Sequence, residues 1–109
     1  MSKHCCTVDW RGAQMRVEIG FDRALGGFFM NIAGAKARGE GFLYDSLTDE
    51  KLYDVGGFPR SLARYMEVLG ELDMQVPKVM LEEVLQDGRQ GVGNRIAVYD
   101  QAGRVIAGG

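Results

Sequence analysis

Cys6-Thr7-Val8-Asp9-Trp10-Arg11-Gly12-Ala13-Gln14-Met15-Arg16-Val17-Glu18-Ile19-Gly20-Phe21 is the stretch that decides the fold. Its apolar residues recur at every second place, first as Cys6, Val8 and Trp10, then as Met15, Val17, Ile19 and Phe21. Period two is the signature of strands that bury one face. Between the two runs, the Arg11-Gly12 step reverses the chain, because glycine accepts the positive φ that tight hairpin turns require. An antiparallel hairpin is predicted. Asp22-Arg23-Ala24-Leu25-Gly26-Gly27 reads as the next turn, with Asp22 capping it. A third strand is expected over Phe28 to Ala33 and a short fourth at Phe42-Leu43-Tyr44. Between them, Lys36, Arg38 and Glu40 stand among small residues and predict an exposed connection.

After a polar, aperiodic segment from Asp45 to Gly57, the period becomes helical. Leu62, Tyr65, Met66, Leu69 and Leu72 share one face at steps of three and four. Pro59 suits the helix start, where its missing N–H costs nothing. A second helix is predicted from Pro77, with the stripe Val79, Met80, Val84 and Leu85 and an end at Gly88 or Gly91. The linker Asp73-Met74-Gln75-Val76 is short, which predicts an antiparallel helix hairpin. Charge supports that pairing. Each helix alone opposes its own macrodipole, but antiparallel packing sets Arg60 and Arg64 beside Glu83 and Asp87, and Glu71 and Asp73 beside Lys78. Alternation returns over Asn94 to Tyr99, a turn follows at Asp100-Gln101-Ala102-Gly103, and Arg104 to Ala107 can add a last strand. The expected fold is one α+β domain over residues 1–109, of two layers. An antiparallel sheet of five or six strands, in the order ββββααββ, is covered by the helix hairpin.

Length and composition agree with a single core. The chain has 109 residues, 46% apolar and 26% charged, with a net charge of -2. At this size roughly two thirds of the extended-chain surface is buried on folding. No apolar run of about 18 residues points to a membrane span. The first residues lead into alternating polar ones and not into the apolar core of a signal peptide, so a cytoplasmic location is expected. The adjacent Cys5 and Cys6 point to opposite faces of a strand, which predicts reduced thiols, one inward and one outward.

Residues that carry catalysis are scarce. The single histidine, His4, stands beside Cys5 and Cys6, where a Cys5/His4 nucleophile–base pair competes with an exposed histidine on a frayed terminus. The second reading is the expectation, because no orienting group is evident. His4 with two consecutive thiols is a poor tetrahedral set, so no metal site is expected. Gly88, Gly91 and Gly93 precede a strand, whereas phosphate loops need glycines after a strand and at a helix mouth. Gly39-Glu40-Gly41 lacks both the third glycine and the helix. Asp45, Asp49, Glu50 and Asp54 lack the alternate spacing of a calcium loop. No basic stripe marks a nucleic-acid surface. No cofactor, direct nucleic acid or membrane is expected. Gly108-Gly109, after a strand, matches the flexible diglycine of ubiquitin-like modifiers and sulfur carriers, although their β-grasp order puts a helix directly after the first hairpin.

Three stretches carry a resemblance: Ile19 to Phe29, Leu69 to Pro77, and Val92-Gly93-Asn94-Arg95-Ile96. Over residues 15 to 99 the chain resembles small uncharacterised bacterial proteins, often carried on plasmids and other mobile elements. They share a strand–(W/F)DR(P/A)L–FF pattern and a late GNR step, and no activity is assigned to them. The resemblance implies an accessory role, such as conjugation, regulation or antagonism of host defence. On physical grounds, Asp22 and Arg23 in their turn, and Asn94 and Arg95 at a strand start, form a polar cluster with Tyr44 or the acidic loop if both pairs lie on one sheet edge. Otherwise Asp22 caps its turn and Arg95 pairs with a carboxylate. The functional expectation is a non-enzymatic module that binds another protein, with exposed aromatics at Tyr44, Tyr53 and Phe58. In its sharper form it inhibits a nucleic-acid-targeting defence complex. The alternative is a carrier acting through Gly108 and Gly109.

Overall fold

The computed structural model describes residues 1–36 and 41–109. Strands β1 (Ser2–Trp10) and β2 (Ala13–Asp22) form the expected antiparallel hairpin. Arg11 and Gly12 take φ values of 51° and 80°, the positive pair that lets a two-residue turn follow the twist of its strands. Strand β3 (Gly27–Gly34) runs antiparallel to β2, and β4, shorter than expected, is Tyr44–Asp45 on β3. Residues 37–40 of the expected connection lie outside the described residues.

The acidic segment is not the aperiodic loop its composition predicts. It winds into two short 3-10 segments, Ser46–Thr48 and Glu50–Val55. Asp45 and Asp49 cap them, each carboxylate accepting a backbone N–H at 3.0 Å, from Leu47 and Lys51 respectively. Short side-chain acceptors at these positions satisfy the donors that a helix start leaves unpaired. Helix α1 (Ala63–Glu71) and helix α2 (Lys78–Gln90) follow, and Gly91 ends α2 in the left-handed conformation. Strands β5 (Arg95–Tyr99) and β6 (Val105–Gly108) complete the chain.

All six strands join one sheet in the order β4-β3-β2-β1-β5-β6. The expectation of a wholly antiparallel sheet is corrected: β5 lies beside β1 in parallel, with Ser2 opposite Arg95 and Cys6 opposite Tyr99. Tight turns enforce antiparallel neighbours, but a long helical connection frees the returning strand to run either way. Here that connection carries the chain from β4 at one edge across to the free side of β1.

One face of the sheet holds the core. Val8, Val17, Ile19, Met30, Ile32, Ala97 and Tyr99 meet Leu62, just before α1, and Tyr65, Val68, Leu69, Met80 and Val84 from the helices. Met66 and Val79, expected in the apolar stripes, are exposed instead. At the hairpin end, Trp10 Nε1–H donates to the Leu72 carbonyl at 2.6 Å. The ion pairs expected between the helices do not form among the described residues. Arg64 pairs with Asp49 at 2.8 Å and with Glu67 of its own helix, Glu83 and Asp87 turn to Arg95, and Lys78 pairs with Glu82. The 3-10 segments and the start of β5 supply nearer partners than the other helix does.

Tyr65 joins α1 to the sheet. Its ring is fully buried, and its hydroxyl donates toward the carbonyls of Phe28 at 2.9 Å and Gly57 at 3.3 Å. Tyr65→Phe keeps the shape and removes the donor, which is expected to cost about 1–2 kcal/mol. The check is a lower urea midpoint with an unchanged slope. An unchanged midpoint contradicts it.

Candidate functional site

Register brings three chain segments to one end of the sheet. Ser2 is opposite both Phe21 and Arg95, so the turn after β2, the start of β1 and the start of β5 are neighbours. Asp22 Oδ1 accepts the Leu25 N–H at 3.0 Å and its carbonyl accepts the Gly26 N–H at 2.8 Å. The Arg23 guanidinium lies against Gly93, where an added Cβ would stand 2.8 Å from Arg23 Cζ. Asp22, Arg23, Asn94 and Arg95 are thus brought to one end. Tyr44 is not. It lies in β4 at the far edge, where its hydroxyl donates to Asp49 Oδ2 at 2.6 Å beside Arg64. Burial pushes the Asp49 carboxyl up, but hydrogen bonds from Arg64, Tyr44 and the Lys51 N–H outweigh it and hold it below its ordinary value.

The same end of the sheet holds a buried polar network that the sequence reading missed. His4 is 0% exposed, in contrast to the expected frayed terminus. Its Nε2 is 2.6 Å from Asp87 Oδ2 and its Nδ1 is 2.8 Å from the Tyr99 hydroxyl. Arg95 closes the network, donating from Nη1 to Asp87 at 2.9 Å and from Nη2 to Glu83 at 3.1 Å. Burial alone would raise the Asp87 carboxyl. Hydrogen bonds from His4, Ser2 and Arg95 outweigh that cost and hold it below its ordinary value. Two periodicities carried the signal. The alternation of β1 continues back from Cys6 through His4 to Ser2, and the buried stripe of α2 runs Met80, Val84, Asp87.

Asp87, His4 and Tyr99 are connected like a carboxylate–histidine–hydroxyl relay. All three are buried, and burial also raises the Tyr99 phenol. What the arrangement does is join α2 to both strands of the parallel pair: Asp87 lies on the helix, His4 on β1, Arg95 and Tyr99 on β5. With Nε2–H donated to Asp87, Nδ1 is the nitrogen that accepts from the Tyr99 hydroxyl.

The remaining expected residues fall elsewhere. Cys5 and Cys6 are both free, with Cys6 buried and Cys5 half-buried. Burial pushes the Cys5 thiol up to about 11 and the Cys6 thiol up to about 12, away from nucleophilic chemistry at neutral pH. Of the aromatics expected to be exposed, only Tyr53 is, at 62%. Phe58 packs edge-on to Phe29, and Tyr44 packs edge-on to Tyr65. Gly108 pairs with Ala97 of β5, and the Gly109 N–H donates to the Ile96 carbonyl at 2.9 Å. Gly108 has φ of 72°, and a Cβ there would sit 2.0 Å from that carbonyl oxygen. Close strand pairing therefore accounts for this glycine. Among the described residues, no group of three or more His, Cys, Asp or Glu is placed to hold a metal ion, and no helix is long and apolar enough to cross a membrane. No family model, curated protein or solved structure matches the chain.

Proposed function

We propose that the chain is a two-layer α+β module, with α1 and α2 as an antiparallel hairpin in the second layer, and that it works by binding another protein on its β5–β6 edge. The observation that carries this reading is the apolar, uncharged character of that edge. Strand β6 reads Val-Ile-Ala-Gly, all four residues are exposed, and it ends the sheet. Ile106 is 63% exposed and Ile96, on the neighbouring strand, is 61%. Edge strands offer unpaired backbone to other chains, and proteins that must avoid pairing place lysine or proline there. β6 has neither. Clustered exposed apolar side chains also mark contact surfaces.

The module is non-enzymatic in this reading, because its one histidine is committed to Asp87 and Tyr99 inside the core. Its two free thiols suit the reducing cytoplasm. A narrower form, with a host defence complex as the partner, rests on the resemblance to proteins of mobile elements. Unchanged phage restriction in a defence-competent host expressing the chain would remove that form alone.

The test compares tagged wild type with Ile106→Lys, and with Met66→Lys on the exposed face of α1, as baits in the native host. A stoichiometric partner should be retained by wild type and Met66→Lys and depleted at least tenfold by Ile106→Lys. Both positions are exposed, so thermal melts should coincide. Equal recovery by all three baits contradicts the proposal.

A further inference from the structure

A cleft of about 480 Å³ lies beside the turn after β2, away from the β5–β6 edge. Its floor is apolar. Phe21 and Phe28 line it with rings 5.3 Å apart and tilted by 58°, and Leu85 of α2 joins them. Gly88 leaves the room: a Cβ there would stand 2.6 Å from Phe28 Cζ. Arg60, Ser61 and Arg89 complete the lining, from the chain before α1 and the last turn of α2.

Both arginines are exposed, and neither makes an ion pair among the described residues, whereas Arg16, Arg64, Arg95 and Arg104 all do. The nearby carboxylates are occupied. Asp22 caps its own turn, and Asp87 is held by His4 and Arg95. The Ser61 oxygen accepts from the Ala63 N–H at 3.4 Å, which leaves its O–H free to donate. Two arginines and a serine therefore share the lining of an aromatic-floored cleft in a chain whose net charge is -2. Guanidinium groups bind carboxylates through paired N–H donors. Clefts of a few hundred Å³ with an apolar lining and few polar groups suit small organic ligands.

We infer that this cleft is a binding site for a small aromatic carboxylate, its ring on Phe21, Phe28 and Leu85 and its carboxylate between Arg60 and Arg89. The complementarity is twofold. The aromatic body removes apolar surface from water, and the anion supplies the partner both arginines lack. A neutral ligand of the same shape satisfies only the first requirement.

The experiment is an NMR titration of the full chain with 2-naphthoate, and in parallel with the uncharged 2-naphthamide. Naphthoate is expected to shift the amides of Gly26, Ser61 and Gly88 saturably, and to bind about tenfold more tightly than naphthamide. Arg60→Gln and Arg89→Gln should each weaken naphthoate about threefold and leave naphthamide unchanged. Both side chains are exposed, so amide spectra of the variants should otherwise match wild type. Shifts confined to other residues, equal affinity for the two probes, or an Arg60→Gln/Arg89→Gln protein that binds naphthoate like wild type would each overturn the inference.

Discussion

Asp87→Ala is expected to lower the unfolding free energy by about 3–5 kcal/mol, the range seen when one partner is removed from a buried ion pair. Asp87 is 1% exposed and meets His4 at 2.6 Å and Arg95 at 2.9 Å. Without it, the Arg95 guanidinium keeps only Glu83, and His4 Nε2 loses its partner. The loss also severs the buried polar link between α2 and His4 of β1 and leaves Glu83–Arg95 as the tie between α2 and β5. Asp87→Asn keeps the volume and isolates the charge. The folded carboxyl is held below its unfolded value of about 4. Its ionised form therefore stabilises the fold above that pH, and the contribution fades as the pH falls through the lower folded value. Wild type should lose stability on acidification below about pH 4. Asp87→Asn should start less stable and show a flatter profile, with the remaining slope supplied by Asp49 and Asp100, whose carboxyls are also lowered. Parallel pH profiles in urea unfolding would contradict this.

Gly20→Val is expected to abolish the native fold at ordinary temperature. Gly20 lies in the middle of the sheet, opposite Lys3 on β1 and Phe29 on β3. A Cβ there would stand 1.9 Å from the Ser2 carbonyl oxygen and 2.5 Å from Phe29 Cζ. The aromatic ring can rotate, but the carbonyl belongs to the β1 backbone. Relief therefore requires β1 and β2 to part beside the His4 network. Overpacking a core costs about 1–3 kcal/mol when side chains give way, and a backbone obstacle adds to that in a fold of about 5–15 kcal/mol total stability. Loss of dispersed amide resonances is the expected readout. A dispersed spectrum with a melting point near wild type would show that the strands do not approach so closely.

Much of the fold was legible because its periods are local. Alternation across Cys6 to Phe21 defined the hairpin, and the three- and four-residue steps around Leu69 and Val84 defined both helices. The parallel pair was not legible. Nothing in Asn94 to Tyr99 says which sheet edge it joins, since the choice between β4 and β1 depends on where a long helical connection lands. The 3-10 segments were hidden in composition, because Asp45 and Asp49 read as charge before they read as caps. His4 was misplaced for a different reason. A polar residue near a chain start suggests solvent, yet it occupies the inward phase of β1, and its partner Asp87 is far away in sequence. For the candidate site, the pairing of Asp22 with its own turn and of Arg95 with carboxylates was anticipated. The identity of those carboxylates, and the separation of Tyr44 from the group, required the register.

The β5–β6 edge is the centre of the functional account, and site-specific photo-crosslinking addresses it most directly. Benzoylphenylalanine is placed at position 106 in one protein and at position 66 in another, and each is irradiated in the native host. The account predicts a defined covalent adduct with one partner protein from position 106 and none with that partner from position 66. Capture of the partner from position 66 with nothing from position 106 would contradict it.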